Sequence, residues 1–330
     1  MILERYFDNA WAIFGLKLGA VFVFFLTAPL IIGYAEHKIL AHMQARLGPM
    51  EAGRFHGWAQ LIADGVKFVQ KEDIVPTAAD RYVFAIAPAI VIIPVIMVFI
   101  VLPFGPGGWW AENIDVGLFY AMAVTAISVV GILAAGWASA NKFSLIGALR
   151  AAAQLIAYEL PLVLAAAAVA MQAGTLSLVG IVEAQQHYWY VFPQIAGFVL
   201  FLIASLAELS RPPFDMPIAD SEIIFGHMTE YTGLRFALFL LAEYAGIVSL
   251  SAIATVLFLG GWKPIIGALD VIPGPLWTLA KIGALSFVVI WLRATYPRLR
   301  EDQLQKMAWK ALIPVALLNI FLTGTFKVVF

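Results

Sequence analysis

Two runs of this chain, Tyr82–Pro103 and Val116–Ala140, contain no Asp, Glu, Lys or Arg over 22 and 25 residues. An apolar stretch of that length is long enough to cross the roughly 30 Å hydrocarbon layer of a bilayer as a helix. A helix is the economical choice there because it satisfies every backbone group within the segment. Comparable stretches recur along the sequence, and together they predict eight spans at about residues 11–35, 82–103, 116–140, 145–171, 188–207, 236–262, 276–292 and 309–326. The composition agrees. The chain is 62% hydrophobic and 12% charged, against about 25% charged residues in soluble domains. The expected fold is an all-α polytopic membrane protein forming one integral membrane domain over residues 1–330.

The connection after the first span, Glu36 to Arg81, is longer than a turn requires. Within residues 56–70, Trp58, Leu61, Ile62, Val66 and Val69 fall at roughly helical spacing, while Asp64 and Lys67 take other faces. That pattern predicts an amphipathic helix lying in the membrane interface. The distribution of basic residues sets the orientation: fifteen Lys and Arg lie in the loops of one side against three on the other. Both termini are therefore expected outside, with the long loops cytoplasmic. The first ten residues carry Glu4, Arg5 and Asp8 without a cleavage pattern, so a retained first span is expected rather than a removed signal.

Net charge is −1, which gives no basic field for nucleic acid. The chain has no cysteine, so it offers no disulfide, cysteine-bound zinc or cysteine-held iron–sulfur cluster. Its histidines, at 37, 42, 56, 187 and 227, have no metal-ligand spacing.

Chemistry concentrates in the stretch from Ala207 to Tyr231, which gathers Glu208, Arg211, Asp215, Asp220, Glu222 and Glu230 between two apolar segments. Pro212, Pro213 and Pro217 exclude one uninterrupted helix through it. Glu159, Glu208 and Glu243 lie within or at the ends of spans. Intramembrane acids are expensive and mark ion or proton pathways, although a carboxylate paired only to order the bundle is the competing reading. Arg211 follows Glu208 by three residues, a spacing that pairs the two if the helix persists. A second group, Glu36, His37, Lys38, Arg46, Asp64 and Lys67, surrounds the amphipathic helix. Arg293 and Arg298 flank Tyr296-Pro297.

At these residues the sequence resembles the family of quinone-binding membrane subunits at the base of respiratory NADH:quinone oxidoreductase (complex I). The matching pieces are Arg46-Leu-Gly-Pro49, Gln60-Leu-Ile-Ala-Asp-Gly-Val-Lys67 and Gly136-Trp-Ala-Ser139. Others are Gly147-Ala-Leu-Arg150 through Tyr158-Glu159, Arg211-Pro-Pro-Phe-Asp215, Ser221-Glu222, Glu230-Tyr231, Ala242-Glu-Tyr244 and Arg293-Ala-Thr-Tyr-Pro-Arg298. The resemblance implies a cavity, formed by the first and sixth spans and the interfacial helix, that admits quinone from the membrane. It implies proton-coupling roles for Glu36, Asp64, Glu159, Glu208, Asp215, Asp220, Glu222, Glu230 and Glu243. Arg46, Lys67, Arg211, Phe214, Arg293 and Arg298 would line the cavity or balance its charge. NADH, FMN and iron–sulfur clusters would belong to peripheral-arm partners, and antiporter-like membrane subunits would be further neighbours in a cell inner membrane.

The chain departs from the family pattern at His37, Met50, Arg54 and Ile218. Two other readings stand beside it: the equivalent anchor of a membrane-bound hydrogenase or other donor-driven dehydrogenase, and a stand-alone proton or ion transporter. The full acidic stretch and the Arg293/Arg298 pair favour the quinone enzyme.

Overall fold

The computed structural model describes residues 9–264 and 271–329, with the backbone alone at residues 10, 220 and 221. The fold is helical, as expected, and the described residues contain no strand beyond an isolated bridge between Gly105 and Trp109. The helices are α1 (Ala10–Met43), α2 (Gln60–Gln70), α3 (Arg81–Val101), α4 (Gly117–Ala138), α5 (Lys142–Ala173), α6 (Leu178–Ala184), α7 (Ile195–Glu208), α8 (Asp220–Ile223), α9 (Gly233–Phe258), α10 (Gly274–Thr295), α11 (Glu301–Met307) and α12 (Ile313–Val329). Among the described residues, seven helical stretches are long and apolar enough to cross a membrane, the last running through α11 and α12, and α7 is a shorter apolar helix. The protein is a polytopic membrane protein.

Local sequence sets the helix ends. Asp80 Oδ1 accepts from the backbone N–H groups of Tyr82 and Val83, and Asn141 Oδ1 accepts from Phe143, each satisfying donors that a helix start leaves free. Gly174 closes α5 in the left-handed conformation, with its N–H on Ala170 O. Several expected boundaries move, and the last span begins at Glu301 rather than residue 309. α1 runs to Met43 rather than ending near residue 35, so Glu36, His37 and Lys38 ride on the helix. The amphipathic helix begins at Gln60 rather than residue 56. The span expected from residue 188 is helical only from Ile195, just after Pro193, whose missing N–H suits a helix entry and not its interior.

The main core is a large apolar cluster in which α3 packs on α4, α5 on α7, and α9 on α3 and α10, with a small second cluster of Val129, Ala152 and Leu155 between α4 and α5. α9 is buried along most of its length. Close backbone approach requires glycine where the central stretch crosses α5: a Cβ on Gly147 would lie 2.5 Å from Gly226 Cα. The segment between α7 and α9 is thereby seated against the bundle.

Candidate functional site

The most buried charges of the fold meet where α1, α9, α10 and the chain after α7 converge. α7 ends at Glu208, Ser210 turns the backbone at φ 49°, and the N–H of Arg211 donates to Leu206 O. This turn points Arg211 away from the position that a continued helix would give it. Its Nη1 donates to Glu36 Oε2 at 2.5 Å, and its Nε lies 2.8 Å from Glu243 Oε1. Both Arg211 and Glu36 are 2% exposed. The expected pairing of Arg211 with Glu208 is therefore replaced by longer-range partners. Arg293 of α10 donates to Glu36 Oε1, and the Tyr244 hydroxyl donates to the same oxygen at 3.4 Å. The Arg211 guanidinium also stacks over the Tyr244 ring at 4.8 Å. Two carboxylates thus face two guanidinium groups, the neutral balance that lets charge sit in a low-dielectric interior. Burial opposes the charge on Arg211, but Glu243 and Glu36 outweigh it and hold the guanidinium above its ordinary value.

Glu243 joins this cluster to a cavity of about 110 Å³. Glu208, Ser210, His227, Ser249, Thr125 and Ser128 contribute polar groups to its wall, and Val91, Val95 and Phe239 close it with apolar surface. Glu208 Oε2 is buried without a hydrogen-bond partner. Glu159 on α5 is near enough to act on Glu208 electrostatically.

A third group lies at the surface. Glu222 on α8 accepts from Arg150 Nη1 at 2.6 Å and from Arg298 Nη2 at 2.8 Å, while Arg150 Nε lies 3.4 Å from Glu301. The hydrogen bond from Arg150 comes first among the causes and, joined by the charges of Arg298 and Arg150, holds the Glu222 carboxyl below its usual range against the opposing effect of desolvation. These residues line an open groove with Met216, Arg300, Asp302 and Gln305.

Several other expected residues make contacts outside the buried cluster. Asp64 pairs locally on α2 with Lys67 at 3.2 Å and Gln60 at 3.3 Å. Arg46, exposed in the turn after α1, bonds Gln44 at 2.9 Å. Glu230 accepts from Asn141 at 2.5 Å, tying the end of the central stretch to the start of α5. Phe214 is buried edge-on against Tyr158, and Gln154 Nε2 donates to Phe214 O and Ala207 O at 2.8 Å each. Asp215 is half-buried beside Phe214. The side chain of Asp220 lies outside the described residues.

Sequence reasoning passed over Tyr244, Arg150 and His227 as site residues. Tyr244 is adjacent to Glu243, and Arg150 sits inside a matched motif, so both carried a signal. His227 carried none, because no spacing relates it to the acids that line the same cavity.

A family model described as NADH dehydrogenase matches residues 16–324. The chain is 46% identical to the H subunit of NADH-quinone oxidoreductase from Bacillus cytotoxicus over 325 residues, covering 98% of this chain and 96% of the relative. It is 47% identical to the protein of the same name from Geobacillus kaustophilus over 313 residues, covering 95% and 92%.

Proposed function

The chain belongs to the NADH dehydrogenase family, and from that premise we propose that it is the membrane subunit of a proton-translocating NADH:quinone oxidoreductase, where quinone reduction is coupled to protonation. It carries no redox centre in this reading and is inactive alone. NADH, FMN and iron–sulfur clusters sit in peripheral-arm partners, and antiporter-like subunits extend the membrane arm. The complex lies in the cell inner membrane, with both termini outside and the long loops cytoplasmic.

The observation that carries the proposal is the buried Glu36–Arg211–Glu243 group with Arg293. Its charges balance and its centre, Glu36 with Arg211, is almost wholly buried, so a new negative charge nearby is felt strongly. Negative charge on a reduced quinone headgroup would raise the proton affinity of neighbouring carboxylates. Glu243 belongs both to this group and to the cavity wall that includes Glu208, so a change in charge at the first is felt at the second. Glu159 continues the acidic series into α5. Asp215, Glu222 and Glu230 line the approach from the central stretch, and Asp220 is assigned to the same proton-coupling series. Asp64 belongs to the proton-coupling series, Arg46, Lys67 and Phe214 to the quinone cavity and its charge balance, and Arg298 holds Glu222.

The test is Glu208→Gln and Asp215→Asn in the assembled complex. Each is expected to abolish quinone reduction or the pumping coupled to it while the complex still assembles. Full activity and pumping in both would overturn the proposal.

A further inference from the structure

We infer that His227 is a positioning residue for Glu208: through water held in the cavity that both side chains line, its imidazole completes the hydrogen bonding of the carboxyl group at the end of α7. The inference rests on the proposed coupling role of Glu208 and adds a residue that the chain's acidic series does not contain.

His227 is 6% exposed, and its Nδ1 has no hydrogen-bond partner in the protein. Glu208 Oε2 is likewise buried and without a partner. Both residues line the same cavity of about 110 Å³. Buried polar atoms without protein partners are satisfied by ordered water where the site is polar and roomy enough, and this cavity exceeds the roughly 10–15 Å³ that one water needs. The wall suits them. Thr125 and Ser249 spend their hydroxyl hydrogens on Met122 O at 2.8 Å and Gly246 O at 3.0 Å, leaving oxygen acceptors for water.

The ring is also held in place. Its short 3₁₀ turn, Gly226–Met228, is seated by the close contact of Gly226 with Gly147, and the imidazole packs edge-on against Phe239 at 5.5 Å. The charged groups around the cavity are Glu208 from α7 and Glu243 from α9, the latter beside Arg211, with Glu159 of α5 acting on Glu208. The residues that α3 and α4 contribute to the wall are uncharged. Burial holds the His227 imidazole down to about 4, so at neutral pH it is uncharged. A neutral imidazole offers one donor and one acceptor nitrogen, the pair needed to orient a water that donates to a carboxylate or accepts from a carboxylic acid.

Two measurements test this. Electron cryomicroscopy of the intact complex, at a resolution that reveals water, is expected to place ordered water between His227 and Glu208. An empty cavity, or direct contact of the two side chains, overturns the inference. Coupled turnover is then compared in His227→Phe, which keeps the aromatic packing, and His227→Gln, which keeps polar groups. The phenylalanine variant is expected to lower proton pumping about fivefold, the effect of losing one ordinary hydrogen bond, and the glutamine variant to recover most of it. Wild-type pumping in His227→Phe, with Glu208→Gln impaired, overturns the inference alone. Wild-type pumping in Glu208→Gln removes the role of Glu208 on which it rests. The water is read in the wild-type complex, so the question is decided even where the phenylalanine variant does not assemble.

Discussion

Arg211 and Glu36 are 175 residues apart in the chain, yet they form an ion pair of 2.5 Å in which both side chains are almost wholly buried. Removing one partner of such a pair leaves an uncompensated charge, at a cost of roughly 3–5 kcal/mol. Arg211→Met is therefore expected to lower the heat-inactivation midpoint of the assembled complex sharply. Arg211→Lys should fall between that variant and the wild type. A single ammonium lacks the planar fork that serves Glu36 and Glu243 together and the flat face laid on Tyr244. Equal midpoints for the three proteins would show that the pair contributes nothing.

His227 gives a pH dependence. Its ordinary value is 6.5 and burial lowers it to about 4 in the fold. The unfolded chain therefore binds a proton more readily, and the stability tied to the neutral ring is fully present above pH 6.5. It is lost progressively as pH falls towards 4, about 3 kcal/mol in all at 1.36 kcal/mol per pH unit. Melting temperature measured across that window should decline less steeply for His227→Phe than for the wild type.

Glu222 behaves differently. Its carboxyl is held below the usual 4.5 by Arg150 first and then by the charge of Arg298, so its contribution is present above that value and lost as pH falls through the lower one. The side chain is 47% exposed, so salt screens the pair and the effect is modest. Amide exchange in Asp220–Ile223, corrected for intrinsic rate, should be flat from pH 6 to 8 and rise only in stronger acid. Glu222→Gln should exchange faster throughout.

Lys281 is buried in α10, where its Nζ donates to Leu259 O at 2.6 Å, Gly261 O at 2.8 Å and Lys263 O at 2.6 Å, beneath the Trp189 ring. It satisfies carbonyls at and beyond the end of α9. Lys281→Met should destabilise the protein by about 2–5 kcal/mol, because it leaves three carbonyls without their donor, at roughly 1–3 kcal/mol for each buried group left unpaired, and these costs do not add fully. The check is thermal inactivation, with turnover at low temperature near normal.

Much of this architecture was legible in the chain. The uncharged runs that become α3 and α4 needed only length and composition, and the apolar spacing of Leu61, Ile62, Val66 and Val69 announced α2. The site was legible as a set of residues rather than as a geometry. Glu36 reads as the start of a loop because it opens a charged triplet, yet charge does not end a helix, and α1 carries it on to α9 and α10. Arg211 reads as the partner of Glu208 because local spacing is what a sequence displays. The turn at Ser210 and the contacts with α1 and α9 depend on how distant segments pack. His227 was silent for the same reason.

Membership of a quinone-reducing complex is tested by tagging this chain, extracting it gently from native membranes and assaying what comes with it. Flavin- and iron–sulfur-bearing subunits are expected in the recovered complex, together with NADH-driven, inhibitor-sensitive quinone reduction. Recovery with a nickel–iron hydrogenase module, or of the chain alone in a form that conducts protons, would contradict the proposed function.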